Sequence, residues 1–193
     1  MAILPTHLKK FTNIPLPEII YFDTSFVIKV LIDEQRHFIQ CREFIELLKK
    51  KQPIIVFSNL LRMELWHTRL IIVFQNLEKE RHINFANCLK KYPNAPRRFY
   101  SEISGVNKLF NELLQNFKNW AEIPVEDKII NLALELIHKY NLDSYDAVHI
   151  ATMLNWGIKD IVVFDQHIED ITDLNIWTNS GLKRYRKRHN LKT

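Results

Sequence analysis

Four acidic residues from well-separated segments, Asp23, Glu64, Asp146 and Asp165, have the chemistry to hold a divalent cation. Two carboxylates about 4 Å apart repel by about 4 kcal/mol at an effective dielectric of about 20, so a cluster of them needs a cation or shared protons to persist. Hard oxygen donors suit Mg²⁺ or Mn²⁺, and no Cys/His spacing of the structural-zinc type occurs. A cation in such a cluster can polarise a phosphoryl oxygen and activate water, which points to metal-assisted phosphodiester hydrolysis. Each acid also has a plainer reading. An acid after a strand suits a turn, an acid in a helix's first turn suits the helix dipole, and Glu64 alone reads as a surface glutamate.

The elements that must position these acids alternate between strand and helix. Ile19–Phe22 is a short apolar run that reads as a buried strand ending at Asp23. Thr24 and Ser25 suit an N-cap for a helix from Phe26, and both could instead orient a cation's water or a phosphate. Arg36–Lys51 has an amphipathic helical pattern. Ile54–Phe57 reads as a second strand, and Ser58 as the cap of a helix that carries Glu64 about two turns in. Ser104–Phe117 is helical by spacing, and Trp120–Val125 is a short strand weakened by Pro124.

The clearest helix is Asp127–Tyr140, with Ile129, Leu132, Ala133, Leu136, Ile137 and Tyr140 on one face. Ser144 begins another that places Asp146 in its first turn and ends near Gly157, a suitable C′ residue. Ile161–Phe164 is a β-branched strand ending at Asp165, and a last strand lies near Leu174–Thr178. Short apolar strands alternating with helices, with no tight hairpin signal, imply an α/β domain whose mainly parallel sheet is covered on both faces. Ligands of such sheets bind beyond the carboxyl ends of the strands, where Asp23 and Asp165 fall.

Composition narrows the classes further. The chain has 193 residues, enough for one domain with a real core, and only three glycines, with neither a dinucleotide-binding nor a P-loop signature. The net charge of +5 resides at the end of the chain: six of the 27 basic residues follow position 182, leaving 21 against 22 acids before it. Lys183, Arg184, Arg186, Lys187, Arg188 and Lys192 form a tail able to attract RNA or another polyanion, and equally able to be a solvated terminus. Cys41 and Cys88 lie far apart without a disulfide or metal pattern, there is no signal-peptide pattern, and no apolar run is long enough to span a bilayer. A cytoplasmic protein is therefore expected.

Four segments taken together resemble the successive motifs of PIN domains. They are Phe22-Asp23-Thr24-Ser25-Phe26-Val27, Asn59-Leu60-Leu61-Arg62-Met63-Glu64-Leu65, Tyr145-Asp146-Ala147-Val148-His149-Ile150-Ala151 and Val162-Val163-Phe164-Asp165. The resemblance implies a three-layer α/β/α sandwich with a mainly parallel central sheet. It implies Asp23, Glu64, Asp146 and Asp165 as both catalytic and metal-holding residues, with Mg²⁺ or Mn²⁺ as cofactor and endoribonuclease activity on RNA. A short stand-alone chain of this kind is most similar to the VapC-type toxins of toxin–antitoxin pairs, which implies a cognate antitoxin and a homodimer as partners.

On this reading residues 1–18 are an N-terminal extension, 19–178 the PIN-like domain with an insertion near 77–101 around Tyr92-Pro93-Asn94-Ala95-Pro96, and 179–193 the basic tail. Family members often carry Thr or Ser where this chain has Val163, so a hydroxyl near the cluster is missing. A non-catalytic RNA-binding or interaction module on the same scaffold is the alternative. A phosphatase of the haloacid-dehalogenase style would need an acid at Ser25.

Among the remaining candidates, Asp143 suits a cap or a supporting role, and Asp170 and Asp173 suit a solvated loop. His149 is expected as a core histidine rather than a base. His167 and Tyr145 could contact RNA, with core packing the plainer expectation for Tyr145 and for the aromatics of positions 92–120.

Overall fold

Among the described residues the apolar runs form a six-stranded sheet, all of whose pairings are parallel, in the order β1-β6-β5-β2-β3-β4. The computed structural model describes residues 5–32, 37–78, 99–164 and 168–178, together with 87, 90–94 and 97. The strands are β1 (Leu8–Lys9), β2 (Ile19–Phe22), β3 (Ile54–Ser58), β4 (Trp120–Ile123), β5 (Asp160–Val162) and β6 (Asn175–Trp177). The helices that bear on the site are α1 (Thr24–Leu31), α2 (His37–Lys51), α3 (Asn59–Glu78), α4 (Tyr100–Leu114), α5 (Asp127–Tyr140) and α6 (Ser144–Asn155).

Strand alternation sorts the sheet's side chains into two cores. Tyr21, Val56, Ile161 and Ile176 face one side and pack with Ile129, Ala133 and Leu136 of α5 and Ala147, Ile150 and Ala151 of α6. Ile20, Phe22, Ile55, Phe57, Val162 and Trp177 face the other and pack with α1, α2, α4 and the Leu61–Leu65 stripe of α3. The expected three-layer α/β/α sandwich is therefore what the chain forms. Aromatics dominate the second core, where Phe44 stacks on Phe11 at 4.4 Å between ring centroids and on Trp177 at 5.9 Å.

Several boundaries differ from the sequence reading. Leu8–Lys9 pairs with β6, so residues ahead of position 19 also enter the sheet. The strand after α6 ends at Val162, two residues earlier than its apolar pattern, although the Val163 amide still donates to the Trp177 carbonyl at 3.0 Å. Helix α3 runs on to Glu78, and α4 begins at Tyr100. Most of the 77–101 segment, Cys88 and the tail from 179 lie outside the described residues. No helix among the described residues is long and apolar enough to cross a membrane.

The order of strands places the site. From β2 the chain passes to β3 on one side, and β5 later arrives on the other, so β2 lies at the switch in direction where a crevice opens beyond the strand ends. Helices α1, α3 and α6 border this crevice. Helix α6 is closed at its far end by Gly157, whose φ of 67° is left-handed. The Gly157 amide donates to Leu154 at 3.2 Å and the Ile158 amide to Met153 at 2.9 Å, the paired bonds of a Schellman ending.

Candidate metal and catalytic centre

Asp23 leaves β2 with extended backbone and becomes the N-cap of α1. Its Oδ2 accepts from the Ser25 amide at 2.8 Å and from the Ser25 hydroxyl at 2.5 Å. The capping expected of Thr24 or Ser25 is thus performed by Asp23 itself, because a carboxylate one residue earlier already reaches the free Ser25 amide. Its other oxygen, Oδ1, lies 4.0 Å from His149 Nε2. The Ser25 hydroxyl also accepts from the Phe164 amide at 2.9 Å, tying the segment before Asp165 to the first acid.

Glu64 reaches the same place from α3. Leu61 and Leu65 on either side of it are buried and fix the rotation of the helix. Arg62 braces the helix from outside through Glu122, Asn107 and Asn111, at 2.9, 3.0 and 2.9 Å. Glu64 Oε2 accepts from the Thr24 hydroxyl and from His149 Nε2, the latter at 2.8 Å.

His149, on α6, is 2% exposed. Its Nδ1 lies 2.8 Å from the Tyr21 hydroxyl and 3.4 Å from Ser58 Oγ, and the Tyr21 oxygen accepts from the Ser58 amide at 3.1 Å. The expectation of a core histidine is met by its burial, and the ring is in addition bonded to Glu64 and 4.0 Å from Asp23. Sequence reasoning missed Tyr21, and it gave Ser58 only as a helix cap. The available signals were a lone hydroxyl-bearing residue in the aliphatic β2 and a histidine one helical turn after Asp146.

The electrostatics follow from burial and proximity. Burial holds the Asp23 carboxyl above its ordinary range, opposed by His149 and the Ser25 bonds and reinforced by the Glu64 charge. Burial also works against charge on the His149 ring, but the Tyr21 oxygen, the bond to Glu64 and the charges of Asp23 and Glu64 outweigh it and hold its pKa well above the usual histidine value.

Asp146 is half-buried in the first turn of α6, one turn before His149. Asp143 is the N-cap of that helix, accepting from the Tyr145 and Asp146 amides at 2.9 Å each. Tyr145 does not pack in the core: it is 56% exposed and lines a cleft of about 400 Å³ with Leu60, Met63, Glu64, His67 and Thr68. Tyr100 and Trp120 are exposed too, whereas Phe110 and Phe117 are buried as expected. Val163 is buried in the core under α5 and α6, so its methyl groups serve packing.

Asp165, His167 and the basic residues Lys183, Arg184, Arg186, Lys187 and Arg188 lie outside the described residues. Among the described residues no three His, Cys, Asp or Glu side chains stand close enough to enclose an ion. The donors that do meet, Asp23 and Glu64, are hard oxygens whose mutual repulsion a divalent cation would relieve, and in that respect they fit Mg²⁺ or Mn²⁺.

A family model for the PIN domain matches residues 20–174, and the chain belongs to that family. Its fold is similar to VapBC2 from Rickettsia felis, solved bound to a DNA fragment from its promoter, with 13% identity, a TM-score of 0.50, and coverage of 83% of this chain and 98% of that one. It is also similar to the Mycobacterium tuberculosis toxin VapC20, described as Sarcin-Ricin loop cleaving, at 15% identity and a TM-score of 0.47, covering 76% of this chain and 89% of that one. A toxin–antitoxin complex from Klebsiella pneumoniae is similar at 17% identity and a TM-score of 0.46, covering 80% and 93%. No curated protein matches the sequence.

Proposed function

We propose that this PIN-domain chain is a divalent-metal-dependent endoribonuclease and the toxin of a toxin–antitoxin pair. The observation that carries the reading is the meeting of Asp23 and Glu64, 41 positions apart in sequence, around one buried histidine at the carboxyl edge of a parallel sheet. Asp23, Glu64, Asp146 and Asp165 would hold Mg²⁺ or Mn²⁺. Bound there, the cation supplies Lewis-acid polarisation of a phosphoryl oxygen and eases deprotonation of water.

The chain's own residues do the rest. Ser25 fixes Asp23 through Oδ2 and leaves Oδ1 toward the site, and Thr24 and His149 fix Glu64 through Oε2. Such fixed geometry is what hydrolysis requires, because one P–O bond forms to water as another breaks to a ribose oxygen. The cognate antitoxin, a homodimer, RNA attraction by the basic tail and a cytoplasmic location belong to the same proposal. Purified protein should cut RNA in Mn²⁺ and not in chelator, and Asp23→Asn should abolish cutting. Failure of wild type to cut, or an Asp23→Asn variant that cuts equally well, overturns the enzymatic reading. RNA binding that survives loss of the acids and disappears with residues 183–193 would support a non-catalytic binding module instead.

A further inference from the structure

We propose that Tyr21 and His149 are positioning residues that set the orientation of the Glu64 carboxylate, through a hydrogen-bonded chain anchored on the backbone of β3. The inference rests on the metal-site reading above and assigns a task to residues that the four-acid pattern does not contain.

The chain begins at the Ser58 amide, a donor that cannot reverse its role. It donates to the Tyr21 oxygen at 3.1 Å, and the Tyr21 hydroxyl meets His149 Nδ1 at 2.8 Å. On the far side of the ring, Nε2 faces Glu64 Oε2 at 2.8 Å and Thr24 Oγ1 at 3.3 Å. An ionised carboxylate only accepts, so Nε2 carries a proton toward Glu64. This holds whether the ring is neutral or charged. In the neutral ring Nδ1 accepts the Tyr21 proton, and in the charged ring both nitrogens donate.

The Thr24 hydroxyl also donates to Oε2. Two donors on one oxygen pin the carboxylate by that atom and leave Oε1 to face a cation. Tyr21 and His149 are both almost fully buried, at 0% and 2% exposure, so solvent does not compete for the bond between them. The ring is also held edge-on by the Tyr21 ring, 5.7 Å between centroids at 69°. Outer partners of this kind orient metal-holding groups, and losing one typically lowers metal affinity about 10–100-fold.

The experiment measures Mn²⁺ binding by calorimetry, with thermal unfolding of the same proteins in chelator. Wild type is compared with Tyr21→Phe, His149→Leu and His149→Gln. His149→Leu should weaken Mn²⁺ binding by about 10–100-fold and Tyr21→Phe by about 10-fold. His149→Gln keeps an N–H at the same reach and should recover affinity to within a few-fold of wild type. Variants that unfold earlier but bind Mn²⁺ as wild type does would overturn the positioning role and leave the metal site standing. Wild type that binds no Mn²⁺ would overturn both.

A second measurement needs no variant to fold. ¹H–¹⁵N correlation of the histidine ring in the metal-free wild type should show His149 Nε2 protonated, and an unprotonated Nε2 overturns the proposal.

Discussion

Asp23 and Glu64 reach the same site by opposite means. Asp23 is held by its own neighbourhood: it caps the helix it precedes, and both bonds to Oδ2 come from Ser25, two residues away. Glu64 is held from a distance, by Thr24 at a separation of 40 residues and His149 at 85. A locally held acid keeps its orientation as long as α1 starts where it does. A remotely held acid depends on three elements arriving in register. The first carboxylate is thus secured by helix formation, the second by tertiary packing.

Substitution should separate the two. The largest effect is expected from Asp23→Asn and Glu64→Gln, each lowering RNA cleavage in Mn²⁺ by at least about 100-fold, since each weakens a ligand to the proposed cation. Stability should split the pair. Because burial raises the Asp23 pKa in the folded state, its ionisation costs stability at neutral pH, and the penalty fades as pH falls through the folded-state value. Asp23→Asn removes the charge and keeps an acceptor for Ser25, so the metal-free variant should melt above wild type in a thermal scan. A lower melting temperature would show that the carboxylate's bonds outweigh its burial.

Ser25→Ala tests the local half. It removes the hydroxyl that donates to Asp23 and leaves the Phe164 amide without that acceptor, at a cost of about 1–3 kcal/mol in chemical denaturation. Thr24→Val tests the remote half. It removes one of two donors to Glu64, should cost about 1 kcal/mol, and should weaken Mn²⁺ binding less than loss of His149 does. The smallest effect is expected from Asp143→Ala, which removes the cap of α6 and should lower stability by about 1 kcal/mol while Mn²⁺ affinity stays unchanged. A change in affinity there would mean that the cap also positions the proposed ligand Asp146, whose amide it holds.

The same contrast explains what could be read in advance. The sheet and its two covered faces were legible, because strand alternation and helical spacing are local patterns: Ile129, Ala133 and Leu136 are buried as their spacing implies. Asp23 was legible for the same reason, as an acid at the end of an apolar run. Gly157 was legible as a helix ending, because a left-handed residue there favours glycine. Glu64 was indistinguishable by spacing from any surface glutamate, and only the family resemblance selected it. The Tyr21–His149 contact left no local trace, since its partners are 128 residues apart. Tyr145 misled because an aromatic side chain usually packs inward, whereas the start of α6 projects it beside the cleft.

The parallel sheet has a further consequence for how the protein is made. Among the described residues none of its strand pairs joins neighbours through a tight turn, and β1 pairs with β6 at a separation of 168 residues (Leu8 with Ile176). Pairings of such long separation form slowly, because the chain loop must close before the contact rewards it. During synthesis the hydroxyl of Tyr21 and the amide of Ser58 emerge long before His149, the group that completes their network. A nascent chain holding only the first two-thirds of the sequence has two of the acids but no ring to align one of them. Glu64 can therefore gain its His149 bond only once α6 has been made, 85 residues after Glu64 itself.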